Sequence, residues 1–255
     1  MKQLTASLFA LFVLACQPLV AQDILVAEEV FEGVIVESPV WDGSFAFGLN
    51  GKSGNSENYD MNLTFDAKKD GEFAITEFLL TYFYSTNDIA TTVDRLYTEA
   101  RQERKLQNPN FTWYYSGFFE RDRFRNFDYR IGAHTGIGIL LYEFDDRFLK
   151  SRIGAGASRE VGGLDDDWKP ELQLGLDWER YLTARTKLFA TVDAFPNVQD
   201  FSDYRVNTRA GVETLLDKAL DMRLRAFIFN RYDSTPEPGD GSNDLDYGLS
   251  LAFGF

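Results

Sequence analysis

The sequence predicts an all-β chain, folded as an antiparallel, up-and-down transmembrane β-barrel of twelve strands. Three observations predict it. Apolar and polar residues alternate with period 2 from Trp41 to the end, and a strand puts successive side chains on opposite faces. The connections alternate between short turns and longer Gly-, Pro- and acid-rich loops, the outer-membrane pattern with short turns on the periplasmic side. No apolar run reaches the roughly 20 residues of a membrane-spanning helix, so any span must be built from strands.

The chain begins with the order of a secretory signal. Lys2 supplies the positive charge, Ala6 to Cys16 is apolar, Pro18 breaks the run, and Ala21 precedes Gln22. Residues 1–21 are therefore read as a signal peptide. Cys16 is the only cysteine. Val13-Leu14-Ala15-Cys16 allows a lipoprotein processing site, although Leu14 fits poorly there; cleavage after Ala21 leaves a mature chain with no disulfide. Residues 22–40 read as an acidic leader, and 41–255 as the barrel.

The clearest strand is the last. Leu245, Tyr247, Leu249, Leu251, Phe253 and Phe255 share one face, against Asp246, Gly248, Ser250, Ala252 and Gly254. Phe45, Phe47 and Leu49 begin the first strand, and Tyr59, Met61, Leu63 and Phe65 the second. The same pattern recurs at Tyr129 to Leu141, Leu172 to Trp178 and Tyr204 to Leu216. Weaker strands are expected near 72–86, 91–104, 111–124, 148–160, 187–196 and 221–232. Charge on both parities leaves 91–104 open to a helix, and a parity change near Glu77 suggests a bulge or bend.

In a membrane barrel the apolar face meets lipid and the polar face lines the interior. Aromatic placement favours that orientation. Tyr59, Tyr129, Tyr204 and Tyr247 begin strands after long-side loops, whereas Phe111, Trp113, Trp178, Phe253 and Phe255 fall at the short-turn end. Two aromatic belts are what interfacial anchoring requires. The expected partners are outer-membrane lipid and, through the C-terminal strand ending in Phe255, the barrel-assembly machinery. Acids exceed bases 40 to 26, which argues against nucleic acid. Lumen charges are expected at Glu120, Arg130, Asp193, Arg205, Arg209, Glu213 and Arg225, either paired into a plug or lining a narrow path.

The candidate chemistry is thin. His134 is the only histidine, and no Gly-x-Ser-x-Gly elbow accompanies it; a hydrogen-bonded lumen histidine is the simpler reading. No cofactor is expected, nor a His/Cys metal site. Asp165, Asp166 and Asp167, and Asp240, Asp244 and Asp246, suit either a solvated acidic rim or a hard cation. Two other classes stay open: a periplasmic or lipid-anchored β-protein binding an apolar ligand, and an outer-membrane enzyme working through His134.

Several short motifs carry a resemblance. They are Trp41-Asp42-Gly43-Ser44 leading to Ser53-Gly54-Asn55; Ala100-Arg101-Gln102-Glu103-Arg104; Phe127-Asp128-Tyr129-Arg130 with Gly132, Gly136 and Gly138; Pro196-Asn197 leading to Asp203-Tyr204-Arg205 and Gly211; and the ending Tyr247 to Phe255. In order and spacing, over about 41–255, the chain resembles the YdiY-like salt-induced outer-membrane proteins, domain of unknown function 481. The resemblance implies an outer-membrane barrel of unassigned role and brings no catalytic residues with it.

Overall fold

The computed structural model describes residues 40–52, 58–164, 166–236, 238–239 and 241–255. The expected signal peptide and nearly all of the leader lie outside them, as do Cys16, Asp165 and Asp240. The described residues form twelve strands. These are β1 (Trp41–Lys52), β2 (Asn58–Asp70), β3 (Ala74–Asn87), β4 (Thr91–Lys105), β5 (Phe111–Asp122), β6 (Tyr129–Phe144), β7 (Arg147–Val161), β8 (Lys169–Tyr181), β9 (Thr186–Pro196), β10 (Tyr204–Asp217), β11 (Met222–Asp233) and β12 (Asn243–Gly254). Each pairs antiparallel with its chain neighbours, and β12 returns to β1, so the sheet is a closed barrel. Closure pairs the two edges that an open sheet would expose, here along the short-turn end of the seam.

The alternation produces this shell directly. Phe45 lies opposite both Phe65 and Phe253 in register, and Phe45, Leu49, Ile153, Leu174, Leu176, Leu249 and Leu251 are exposed on the outside. The intervening residues point inward. Following the register once around the barrel returns to β1 displaced by about sixteen residues. That stagger tilts the strands and lets inward side chains from distant strands meet at one depth.

Residues 91–105 form a strand throughout: the charges on both parities divide between an inner ion-pair network and the outer surface. The expected bulge near Glu77 is not there. β3 keeps continuous register with β2 from Ile75 to Asn87, and its only shift against β4 lies between Ser85 and Thr86. The parity change has another cause: Leu79 and Phe83 are apolar residues that point inward and are buried.

The seam between β1 and β12 is shorter than every other. Its register covers Ser44↔Gly254 to Phe47↔Leu251, extended by mutual backbone hydrogen bonds between Gly43 and Phe255 at 3.4 and 3.2 Å. Above Phe47, β1 pairs with β2 alone and β12 with β11 alone. Tyr247 and Leu249, on that stretch of β12, are 78% and 62% exposed, more than any other large apolar residue within a described strand.

Candidate functional site: the barrel interior

The interior is stacked in three layers. Nearest the long loops is a charge layer. Arg95 of β4 reaches Asp122 at 2.5 Å and Asp246 of β12 at 2.8 Å. Arg130 of β6 meets Glu120 at 3.3 Å, Asp233 of β11 at 3.2 Å and also Glu160. Arg231 of β11 contacts Asp246 at 3.0 Å and Glu120 of β5 at 3.4 Å. In a ring of twelve, β5 and β11 are diametrically opposed, so this pair crosses the lumen. The β5–β6 loop closes over it. Phe127 folds in beneath the Arg130 guanidinium, 4.8 Å from its ring centroid. Arg125 donates to the Gly241 carbonyl at 3.1 Å and pairs with Asp244.

Below lies an aromatic layer. Phe83 stacks on Phe229 at 6.4 Å, Phe229 meets Tyr97 at 6.0 Å, Tyr97 stacks on Phe118 at 6.2 Å, and Phe118 contacts His134 and Phe195. These rings come from β3, β11, β4, β5, β6 and β9, and so span the interior. Small residues make room for them: a Cβ at Gly132 would overlap the Phe118 ring, and one at Gly154 the Tyr114 hydroxyl. Arg205 lies over Phe118 and Phe195 at 5.7 and 5.3 Å, and Arg231 over Phe229 at 5.0 Å, which ties this layer to the one above.

Beneath the rings one flank is filled by polar contacts. Arg152, fully buried, pairs with Asp193 at 2.9 Å and with Asp177. Tyr114 donates to Gln173 at 3.0 Å, and Glu103 takes Thr112 at 2.7 Å together with Lys150 and Arg101. Beside this cluster lies a cavity of about 300 Å³, running from Phe229 down to Phe148 and Lys187, the second residues of β7 and β9.

All seven expected lumen charges point inward. Glu120, Arg130, Asp193 and Arg205 belong to the pairs above, Arg205 through Glu171 at 2.6 Å. Glu213 and Arg225 pair at 2.7 Å, and Arg225 also bridges to Asp66 at 2.9 Å and Ser44 at 2.9 Å. Arg209 lines the cavity and forms no ion pair among the described residues. Sequence reasoning missed Arg95, Arg101, Arg152 and Arg231, and the aromatic layer altogether. The available signal was an apolar residue on the polar parity, as at Leu79, Phe83, Phe118 and Phe229.

The outward aromatics are distributed as follows. Tyr59, Tyr129 and Tyr204 stand at the long-loop ends of β2, β6 and β10, Tyr129 against Phe119 at 5.6 Å and Tyr204 against Tyr232 at 5.7 Å. Tyr247 sits four residues into β12. Phe111, Trp113, Trp178 and Phe253 lie near short-turn ends, and Phe255 follows β12, stacked on Phe65 at 5.9 Å.

His134 is buried, with Nε2 2.7 Å from Glu171. Ser158 donates to the same carboxylate at 3.1 Å. Glu171 thus stands between them, and no hydrogen bond joins Ser158 to His134 among the described residues, so the histidine is not placed to take the serine proton. The acidic clusters are engaged by arginines: Asp166 by Arg159 at 2.8 Å, Asp244 by Arg95 and Arg125, Asp246 by Arg95 and Arg231. Among the described residues no group of His, Cys, Asp and Glu is arranged to hold a metal ion.

Comparison with solved structures finds distant barrels. An outer-membrane channel from Pseudomonas putida F1 matches at 10% identity and TM-score 0.46, over 90% of this chain and 98% of that one. The β-domain of the Bordetella autotransporter BrkA matches at 14% identity and TM-score 0.37, over 85% and 98%. A FadL homologue from Pseudomonas aeruginosa matches at 10% identity and TM-score 0.33, over 82% and 73%. At these scores the likenesses carry no argument, and the barrel stands on its own register. No curated protein matches the chain. A family profile described as "Protein of unknown function, DUF481" matches residues 45–255, and with nearly the whole barrel inside that match, the chain belongs to the DUF481 family.

Proposed function

We propose that the chain is an outer-membrane barrel, exported by its signal peptide, whose interior is closed at rest toward the long-loop end. Its role is structural, or that of a gated narrow channel, and not that of an open pore. The observation that carries this is the Arg231–Glu120 contact at 3.4 Å between diametrically opposed strands. The aromatic layer beneath it supports the same reading, because water-filled barrels keep their lumens clear of side chains that meet across them.

The membrane location is supported by inversion. Ile153, Leu174, Leu176 and Leu249 are 46–62% exposed outside, while Arg152, Glu103 and Glu171 are 1–3% exposed inside. A soluble barrel binding an apolar ligand needs the reverse. Tyr59, Tyr129, Tyr204 and Tyr247 are assigned to the outer interface, with Tyr247 the deepest. Trp113, Trp178, Phe253 and Phe255 are assigned to the periplasmic one.

Planar-bilayer recording tests closure. The folded protein should show no steady open conductance at low voltage, and the Glu120→Ala/Arg231→Ala variant should open more often. A large, continuously open wild-type conductance would overturn the reading. Fractionation with the outer membrane and heat-dependent gel mobility test location; a soluble periplasmic product would sink it.

A further inference from the structure

Arg209 is the exception among the inward arginines. The others that line the interior each meet a carboxylate, as described above, and Arg223 joins them through Glu213 at 3.3 Å and Asp221 at 2.7 Å. Arg209 meets none among the described residues. Its register partners are Thr191 on β9 and Phe229 on β11. It borders both the cavity and a small gap lined by Tyr97, Phe195 and Phe229 and by Glu99 and Asp193, whose carboxylates are held by Tyr97 and Arg152, which places it at the cavity roof, directly under the aromatic layer.

The cavity walls are of two kinds. Leu79, Phe83, Phe189 and Phe227 give apolar surface. The carboxylates are already engaged. Glu77 is held by Arg101, Asp177 by Arg152, Glu179 by Lys187 at 3.5 Å and Glu213 by Arg225. Glu99 accepts the Tyr97 hydroxyl at 2.8 Å and lies 3.8 Å from Arg101. One unpaired guanidinium therefore faces a space of about 300 Å³ whose walls combine apolar side chains with charges already paired to one another, at the lower end of the size of small-molecule pockets. The planar fork of a guanidinium matches a carboxylate with two parallel hydrogen bonds. The aromatic layer ends the space above, so a molecule entering from the short-turn end stops there.

We propose that this cavity binds a small organic anion, a carboxylate on a short ring or alkyl body, with Arg209 holding the carboxylate and the phenylalanines holding the body. The inference rests on the cavity and its arginine, and it stands or falls separately from membrane location and conductance.

Titration calorimetry on the full chain, folded in detergent at neutral pH and low salt, tests it with benzoate and hexanoate against benzyl alcohol and hexanol. The acids should bind saturably and the alcohols at least tenfold more weakly. Arg209→Gln should weaken the acids at least tenfold, with folding checked by heat-dependent gel mobility. Arg209→Lys should recover part of the loss, and Arg185→Gln, in an exposed turn, should change nothing. Equal binding of acid and alcohol, no saturable binding of the acids, or undiminished binding by Arg209→Gln overturns the proposal. If Arg209→Gln does not fold, Thr191→Trp fills the space beside the arginine and keeps its charge; acid binding that survives this change overturns the proposal equally.

Discussion

Glu171 holds three side chains at once: His134 at 2.7 Å, Ser158 at 3.1 Å and Arg205 at 2.6 Å. Its carboxylate is 3% exposed, so removing it leaves the part-buried Arg205 guanidinium without the one carboxylate that pairs with it among the described residues. Breaking a buried pair from one side costs about 3–5 kcal/mol, and Glu171→Ala should lose stability in that range in urea unfolding from lipid vesicles. A loss below about 1 kcal/mol, the range of surface pairs, would show that water replaces the carboxylate. A second single residue sits outside the spans. Asp203, in the β9–β10 loop, is disfavoured as a charge by partial burial. Hydrogen bonds from Asn197 at 3.0 Å and Thr235 at 2.6 Å, with Lys169 nearby, outweigh this and hold its carboxyl below the usual range. A depressed carboxyl stabilises the folded loop above its unfolded value, near 4, and that contribution fades as pH falls through the lowered folded value. Loop protection measured by hydrogen exchange should therefore weaken on acidification, and Asp203→Asn should remove that acid dependence.

At the scale of the strand, depth decides what a substitution does. Leu249 sits mid-strand on the apolar face of β12, and Leu245 sits near the long-loop end of the same face. Leu249→Arg should cost about 2–4 kcal/mol in vesicle unfolding and Leu245→Arg about 0–1; equal costs would refute the assigned depth. The seam makes a separate prediction. The Gly43–Phe255 exchange turns the odd-numbered amides of β1 and β12 toward each other. Those of Phe45, Phe47, Leu251 and Phe253 lie within the paired stretch, while those of Leu49, Gly51, Tyr247 and Leu249 lie above it. The second group should exchange faster with solvent deuterium; uniform protection along the seam would mean that it closes fully in a bilayer. Strands such as β12 were legible in the sequence because their outer face meets one environment and tolerates only apolar side chains. β3 was misread for the same reason. Leu79 and Phe83 face an interior that takes both charges and rings, so parity alone could not separate an inward phenylalanine from a bulge.

Across the whole molecule, the alternation showed which face of most strands points inward but not which side chains meet across the interior. Glu120 and Arg231 are 111 residues apart, and Arg95 and Asp246 are 151 apart. Their contacts depend on strand number and stagger, which no local pattern encodes. The aromatic layer stayed hidden because it is assembled from single rings on six strands. This architecture sets an expectation about salt. Charges screened from water lose little to added ions, so the closed state should persist in bilayer recordings from dilute to molar salt; progressive opening with salt would place these pairs in contact with solvent. The shortened seam has its own consequence for topology. A cylinder differs from a curved sheet of the same strands by one line of hydrogen bonds, and here that line is fastened only from Gly43 to Phe47 against Leu251 to Phe255. With so few backbone bonds along that line, the ring is held against the ribbon chiefly by side chains that reach across it, Arg225 to Asp66 and Ser44, Phe255 against Phe65 and Arg95 to Asp246, so circularity here is kept by the filling of the barrel more than by its wall.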